Sequence, residues 1–248
     1  MCDCDLRRGL GWKGWRPLPP FVAASGHGAW HDLSHPLDGD APRVSFFPRP
    51  TFEAVYRIPD KPLNVTRMDM IVHIGTHIDS PRHFFVDGPA LEDIPVERLC
   101  GRGIVWPVRL AEGHLVEPLH LAGLESILEA GDILVINTGW HQFVGSPKYD
   151  DEHPALSLAT ADWIVSRGVK LVGLDFPTPD LPVAKRPDGF DYPIHRRLLS
   201  QGVMIAERLT NLSGLDGQTV EILCMGLNII GGDGAPARIV ARSLKAGS

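Results

Sequence analysis

From position 66 to 79 the chain alternates in register. Met68, Met70, Val72 and Ile74 fall on one face, and His73, His77 and Asp79 fall on the other. A period of two belongs to an extended strand, so the pattern predicts a strand over 66–79 with an apolar face and a polar face. A helix would set His73 and His77 one turn apart but would carry Asp79 round the cylinder. Gly75, Pro81 and the β-branched Ile71, Val72, Ile74, Thr76 and Ile78 also disfavour it. Residues 51–58 read as a preceding strand, and Trp30 to Leu37 as a short strand entering a turn. Continuous apolar runs predict buried strands over Ile133–Asn137 and Lys170–Asp175, with further strands over Val203–Glu207 and Val220–Met225. Helical spacing predicts Leu119–Ala130, stopped by Gly131, and Ser157–Arg167, stopped by Gly168. A short helix follows over Ile194–Ser200, with Pro193 in its first turn and Gly202 beyond its end. The proline-rich stretch 176–191 reads as an irregular loop. Alternating strands and helices indicate an α/β or α+β single domain over 30–248, preceded by an arm, 1–29, rich in Gly, Pro and Trp.

Composition narrows the classes of function. A chain of 248 residues can bury one sizeable core. Its net charge of −6 is spread out and forms no basic stripe, so nucleic acid is not an expected partner. No apolar run approaches membrane-spanning length, and the first residues lack the hydrophobic stretch of a secretory signal; a cytoplasmic protein is expected. Cys2 and Cys4 lie on the terminal arm, whereas Cys100 and Cys224 sit in apolar surroundings and read as small core residues. His31 and His35 are exposed candidates only. Trp12, Trp15 and Trp30 suggest that the arm packs onto something, such as a neighbouring subunit.

The polar face of the predicted strand carries the chemistry. Two imidazoles and a carboxylate, His73, His77 and Asp79, suit a divalent ion such as zinc or manganese with positions left for water. His83 follows closely, after the turn at Pro81. A solvated polar strand face is the plainer alternative, but it leaves Gly75, Thr76 and the Ser80-Pro81 turn without a purpose. His195 opens the short helix and Glu207 ends the next strand, and a helix-turn-strand return can bring the two together. Asp79 can then bridge two ions, with His73 and His77 on one and His195 and Glu207 on the other.

The run His73-Ile74-Gly75-Thr76-His77-Ile78-Asp79-Ser80-Pro81-Arg82-His83 reads H-x-G-T-H-x-D-x-P-x-H. With Asp32 to Leu37, Asn137 to Trp140, His153 to Ser157, Gly173 to Asp175, Leu209 to Leu212 and Gly231 to Arg238, it resembles the cyclase family of metal-dependent hydrolases. That family includes bacterial kynurenine formamidase and isatin hydrolase. The resemblance runs from about residue 30 to near 240. It implies a swivelling β/β/α-type fold with a mixed central sheet and a homodimer or homotetramer. It implies zinc or manganese, one or two ions per subunit, held by His73, His77 and Asp79 and, for a second ion, by Asp79, His195 and Glu207. It implies His83 as acid/base, and a pocket bordered by Phe84, Phe85 and Pro177-Thr178-Pro179 that takes a small, aromatic substrate. The reaction it implies is hydrolysis of an amide carbon–nitrogen bond of the arylformamidase kind, N-formylkynurenine to kynurenine and formate. Ring opening of a cyclic amide or lactone, as in isatin hydrolase, is the near alternative, and true cyclisation a further one. A non-catalytic metal-binding protein on the same fold is the reading from another class. The chain departs from the compact formamidases in its arm and in extra residues near 178–192.

Overall fold

The computed structural model describes residues 11–20, 28–110 and 114–244. Cys2, Cys4 and most of the arm therefore lie outside the described residues. In chain order the elements are β1 (His31–Asp32), β2 (Thr51–Tyr56), β3 (Val65–Asp69), β4 (His77–Asp79), β5 (Cys100–Pro107), β6 (Leu115–Val116) and β7 (Ile133–Asn137). They continue with α1 (Lys148–Asp151), β8 (Ala155–Leu156), α2 (Leu158–Ser166), β9 (Leu171–Leu174), α3 (Pro193–Leu199), β10 (Met204–Glu207), β11 (Thr219–Gly226) and β12 (Gly234–Ser243). None of the described helices is long and apolar enough to cross a membrane.

The main sheet is mixed, in the order β1-β12-β11-β5-β7-β9-β10-β4. Its middle pairs, β5 with β7, β7 with β9 and β9 with β10, are parallel. Parallel neighbours need a crossover. α2 supplies it between β7 and β9, and α3 between β9 and β10. Both faces of β7 and β9 are covered, which explains their continuous apolar runs. In β7, Ile133 and Val135 pack with Leu171, Met204 and Ile222 inside the sheet's curve. Leu134 and Ile136 pack outward with Ile164, Val165 and Leu198 of the helices. β12 is long enough for three partners. Its later residues pair with β11 and β1, and Gly234–Pro236 pair with β4, which closes the sheet into a barrel.

Several predicted elements stand close to their expected bounds. β7, β9, β10 and β11 do so, and so does α2, whose Ser157 hydroxyl accepts from the Thr160 amide at 3.1 Å as an N-cap. Two do not. The helix expected over 119–130 is a pair of 3-10 turns, Pro118–Leu121 and Leu124–Ser126. Gly123 between them has φ +96°, outside the helical region, and each turn buries one leucine, Leu121 in the first and Leu124 in the second. The strand expected over 66–79 is broken into β3 and β4, with turns from 72 to 76 between them. β3 belongs to a separate two-stranded hairpin with β2, and Met68 there is 45% exposed, not core. His31 and His35 are half-buried, not exposed, and Cys100 is half-buried while Cys224 is core. Trp12 and Trp15 meet edge to face at 4.9 Å and pack on this chain's own core.

Candidate metal centre

β4 lies between β10 and β12, and that placement assembles the site. His77 is the cross-strand partner of Glu207, and Asp79 is the partner of Ile205 and of Gly234. Alternation then puts His77, Asp79 and Glu207 on one face, while Ile78 and Ala206 face the barrel core. His73 comes from the turn before β4, not from the strand. Gly75, at φ +69°, allows that turn, and a Cβ there would meet Leu37 at 2.7 Å. Thr76 ties the turn down: its hydroxyl donates to the Arg208 carbonyl at 2.7 Å and accepts from the His35 amide at 2.9 Å. His73 reaches Asp79 Oδ1 through Nδ1 at 2.8 Å and Asp233 Oδ2 through Nε2 at 2.9 Å. His195, on α3, points Nε2 at Glu207 Oε1, 3.2 Å away, and at Asp79 Oδ2, 3.5 Å away. So the five residues singled out in the sequence, three from one motif and two from a distant hairpin-like return, do converge.

The donor set fits a cation. His77 Nδ1 donates to the Gly75 carbonyl at 2.8 Å, which leaves Nε2 as the lone-pair nitrogen. That nitrogen faces Asp79 Oδ1 at 3.4 Å and Glu207 Oε2 at 3.3 Å. His77 Nε2, Asp79 Oδ2 and Glu207 Oε1 are all buried without a hydrogen-bond partner. Acceptors gathered against acceptors in a buried place are costly unless a positive charge joins them. Ligand atoms of His77, Asp79 and Glu207 lie within 4.8 Å of one another, and so do those of His73, Asp79 and His83. Burial disfavours charge throughout the cluster, yet pairing outweighs it. His73 is lifted to about 10 by its bonds to Asp233 and Asp79, and His195 is raised well above its usual value by Asp180, Asp79 and Glu207. Glu207 is held down at about 2, against burial and the Asp79 charge, by His195 and His77. The carboxylates thus demand positive charge at this spot, whether from protons or from a metal ion.

Two supporting carboxylates escaped the sequence reading. Asp180 accepts from the Ile194 and His195 amides at 3.0 and 3.1 Å, and from His195 Nδ1 at 2.6 Å. It fixes the ring so that Nε2 faces inward. Asp233 binds His73 and lies 3.4 Å from His83 Nδ1, and these two imidazoles hold it well below the usual carboxylate range. The available signals were an acid directly after the Pro177-Thr178-Pro179 run and another between the glycines of Gly231-Gly232-Asp233-Gly234.

The cluster floors a cavity of about 310 Å³. His83 closes one side; its side chain is 28% exposed, and its ring lies 4.0 Å from that of His73. Phe84 lines the cavity and packs at 4.9 Å from the His195 ring. Phe85 does not. It is 5% exposed and belongs to the helix-side core, because the 3-10 turn at 81–83 sends the two neighbouring rings different ways. Thr178 and Pro177 border the cavity as expected. Val44, Phe46, Phe47, Tyr192, Arg186 and Arg208, which the sequence did not single out, complete its wall.

The Cyclase family model matches residues 31–181. The chain belongs to the Cyclase family. Curated relatives within reach of this cyclase-family chain include a kynurenine formamidase of Bacillus cereus (strain ATCC 10987 / NRS 248), 29% identical over 87% of this chain and 98% of its own length. Another, from Bordetella avium, is 28% identical over 86% and 97%. Among solved structures, isatin hydrolase A from Labrenzia aggregata, bound to benzyl benzoate, superposes with a TM-score of 0.77 at 22% identity, covering 88% of this chain and 94% of its own. A structure described as a potential metal-dependent hydrolase with cyclase activity gives 0.69 at 23% identity, covering 86% and 96%. These neighbours share the fold of this cyclase-family barrel.

Proposed function

We propose that this cyclase-family hydrolase uses one or two divalent ions, zinc or manganese, to cleave an amide carbon–nitrogen bond in an aryl formamide, N-formylkynurenine being the first compound to test. One observation carries the reading: His77 Nε2, Asp79 Oδ2 and Glu207 Oε1 are buried without hydrogen-bond partners, in a cluster where His77 Nε2 and His195 Nε2 each face both carboxylates, beside the partly exposed imidazole of His83. His73, His77 and Asp79 would hold one ion; Asp79, His195 and Glu207 would hold a second. Such an ion, when bound, lowers the pKa of coordinated water toward neutrality and polarises a carbonyl.

The chain's own residues do the rest. Asp233 Oδ2 lies 3.4 Å from His83 Nδ1, on the side away from Nε2, which is then the nitrogen to take a proton from the attacking water and return it to the departing nitrogen. Asp180 keeps the His195 ring from turning. Phe84, Phe46, Phe47 and Tyr192 give a flat aryl group apolar walls. The kynurenine formamidase relatives support the formamide; the isatin hydrolase neighbours support a cyclic amide as the second compound to try. Hydrolysis of N-formylkynurenine, followed by absorbance with manganese or zinc present, tests the proposal. Turnover above about 1 s⁻¹, abolished by a chelator, is expected. Turnover indifferent to chelation would refute the metal chemistry, and no turnover of either compound would refute the hydrolase.

A further inference from the structure

The end of the barrel opposite the metal cluster holds two arginines that bond to no carboxylate. Gly168 and Val169 lead into β9, and Gln201 and Gly202 lead into β10, whereas Glu207 lies at the far end of β10. The described part of the arm crosses these turns. The Lys13 amide donates to the Ser200 carbonyl at 3.0 Å, and a Cβ on Gly202 would stand 3.1 Å from Trp15 Cε3. Gly202 has φ +72°, so the turn and the packed ring both require glycine there.

Between the arm and the turns lies a cavity of about 270 Å³, bordered by Arg16, Leu18, Arg98, Gly168, Gln201 and Gly202. Among the described residues, no acid lines it. Arg98, at the end of the 3-10 turn Val96–Arg98, is 3% exposed and stacks on Trp15, its guanidinium carbon 4.2 Å from the ring centroid. Its Nη1 donates to the Gly202 carbonyl at 3.1 Å and its Nη2 to the Arg16 carbonyl. Arg16 Nη1 donates to the Val165 carbonyl. Among the described residues, the bonds of both arginines therefore go to carbonyls and none to a carboxylate, and each fork keeps donors to spare. Burial lowers the pKa of Arg98, and no acid raises it again. A buried cation without a counter-charge is costly, and a second cation beside it adds repulsion. An anion shared by the two forks removes both costs. That such a pair stands in a chain of net charge −6 sets the cavity apart from the general surface.

We propose that this cavity is a second binding site, for a phosphate group, separate from the metal centre. One guanidinium fork satisfies the two oxygens of a carboxylate, whereas two forks at one cavity suit an ion with a third oxygen. The volume admits phosphate with a small substituent, so the ligand is the free ion or a small phosphate monoester. Bound there, the anion joins Arg16 of the arm to Arg98, and through Arg98 to the turn at Gly202. The site stands whether or not the hydrolase reading holds.

The test is a calorimetric titration of inorganic phosphate into the full chain, stripped of metal by a chelator so that phosphate meets no bound ion. Saturable binding tighter than about 1 mM is expected. Arg98→Lys, which keeps the charge and loses the fork, should weaken it about tenfold, and Arg16→Gln by a similar factor. Because Arg98 also holds Gly202 and Trp15, its replacement disturbs the fold. Arg16→Gln, on the arm, is the second variant, and its urea midpoint without phosphate should match that of the unmodified chain. Phenyl phosphate and acetate complete the set. Phenyl phosphate bound as tightly as phosphate supports a monoester as the ligand, and far weaker binding supports the free ion. Acetate bound as tightly as phosphate would overturn the assignment to phosphate. No saturable binding of either phosphate compound, or binding undiminished in both variants, would overturn the site.

Discussion

Each imidazole of the cluster whose far nitrogen is engaged is aimed by that engagement. His77 is set by the Gly75 carbonyl and His195 by Asp180, so the inward nitrogen of each meets Asp79 and Glu207. Asp180→Asn should therefore weaken metal binding about tenfold to a hundredfold without abolishing it, as titration with manganese would read. His83 is the complementary case. It sits beside the cluster with Asp233 3.4 Å from its Nδ1, so His83→Ala should keep its metal and lose on the order of 10²–10⁴ in turnover. Parallel metal analysis and kinetics decide this; full activity in the metal-loaded variant would remove His83 from the mechanism. Away from the cluster, His153 is 2% exposed and donates through Nδ1 to the Pro154 carbonyl. Burial pushes its pKa from 6.5 down to about 3, so the folded chain keeps it neutral where the unfolded chain takes a proton. Its contribution to stability is complete above pH 6.5 and is lost as the pH falls toward 3. Between pH 7 and pH 5 it should cost the folded state about 2 kcal/mol, a loss that His153→Asn would remove from the urea midpoints at the two pH values.

Among the elements, α2 offers the cleanest energetic test. Replacing its cap, Ser157→Ala, should destabilise the protein by about 1 kcal/mol in urea unfolding, with no change in metal affinity. The same helix was legible in the sequence because cap, apolar spacing and Gly168 agreed. β7 and β9 were legible because strands buried on both faces leave continuous apolar runs. β5 and β12 were not read. Gly101 and Gly103 thin the apolar signal of β5, yet Gly103 is needed: a Cβ there would stand 2.9 Å from the Ile133 carbonyl. In β12, Pro236, Arg238 and Arg242 interrupt the pattern at a strand that changes partners along its length. The period of two over 66–79 pointed to residues that do come together, for a partly wrong reason. His77 and Asp79 do share a strand face, but His73 reaches the same point from a turn. Phe85 shows the opposite failure, since adjacency to His83 says nothing about which side of a 3-10 turn a ring takes. Gly234 links the two scales. A Cβ there would lie 2.5 Å from His73 Cε1, so Gly234→Ala should displace that ring and weaken metal binding while β12 still forms.

Closure of the sheet is what turns a sequence motif into a site. β4 is only three residues long, yet it is flanked by β10 and β12 and so brings Glu207 and Asp233 to His73, His77 and Asp79. His195 joins them from α3, whose position follows from the parallel crossover between β9 and β10. An ion held there would couple its binding to folding of the whole barrel. An ion at a hundred times its dissociation constant should add about 2.7 kcal/mol to stability. The most direct measurement is a calorimetric titration of manganese or zinc into the chelator-stripped protein and into Asp79→Ala. One or two ions per chain are expected in the first and none in the second, because Asp79 is common to both ligand sets. A stripped protein that takes up no ion, or an Asp79→Ala protein that binds as the unmodified chain does, would contradict the metal centre on which the account stands.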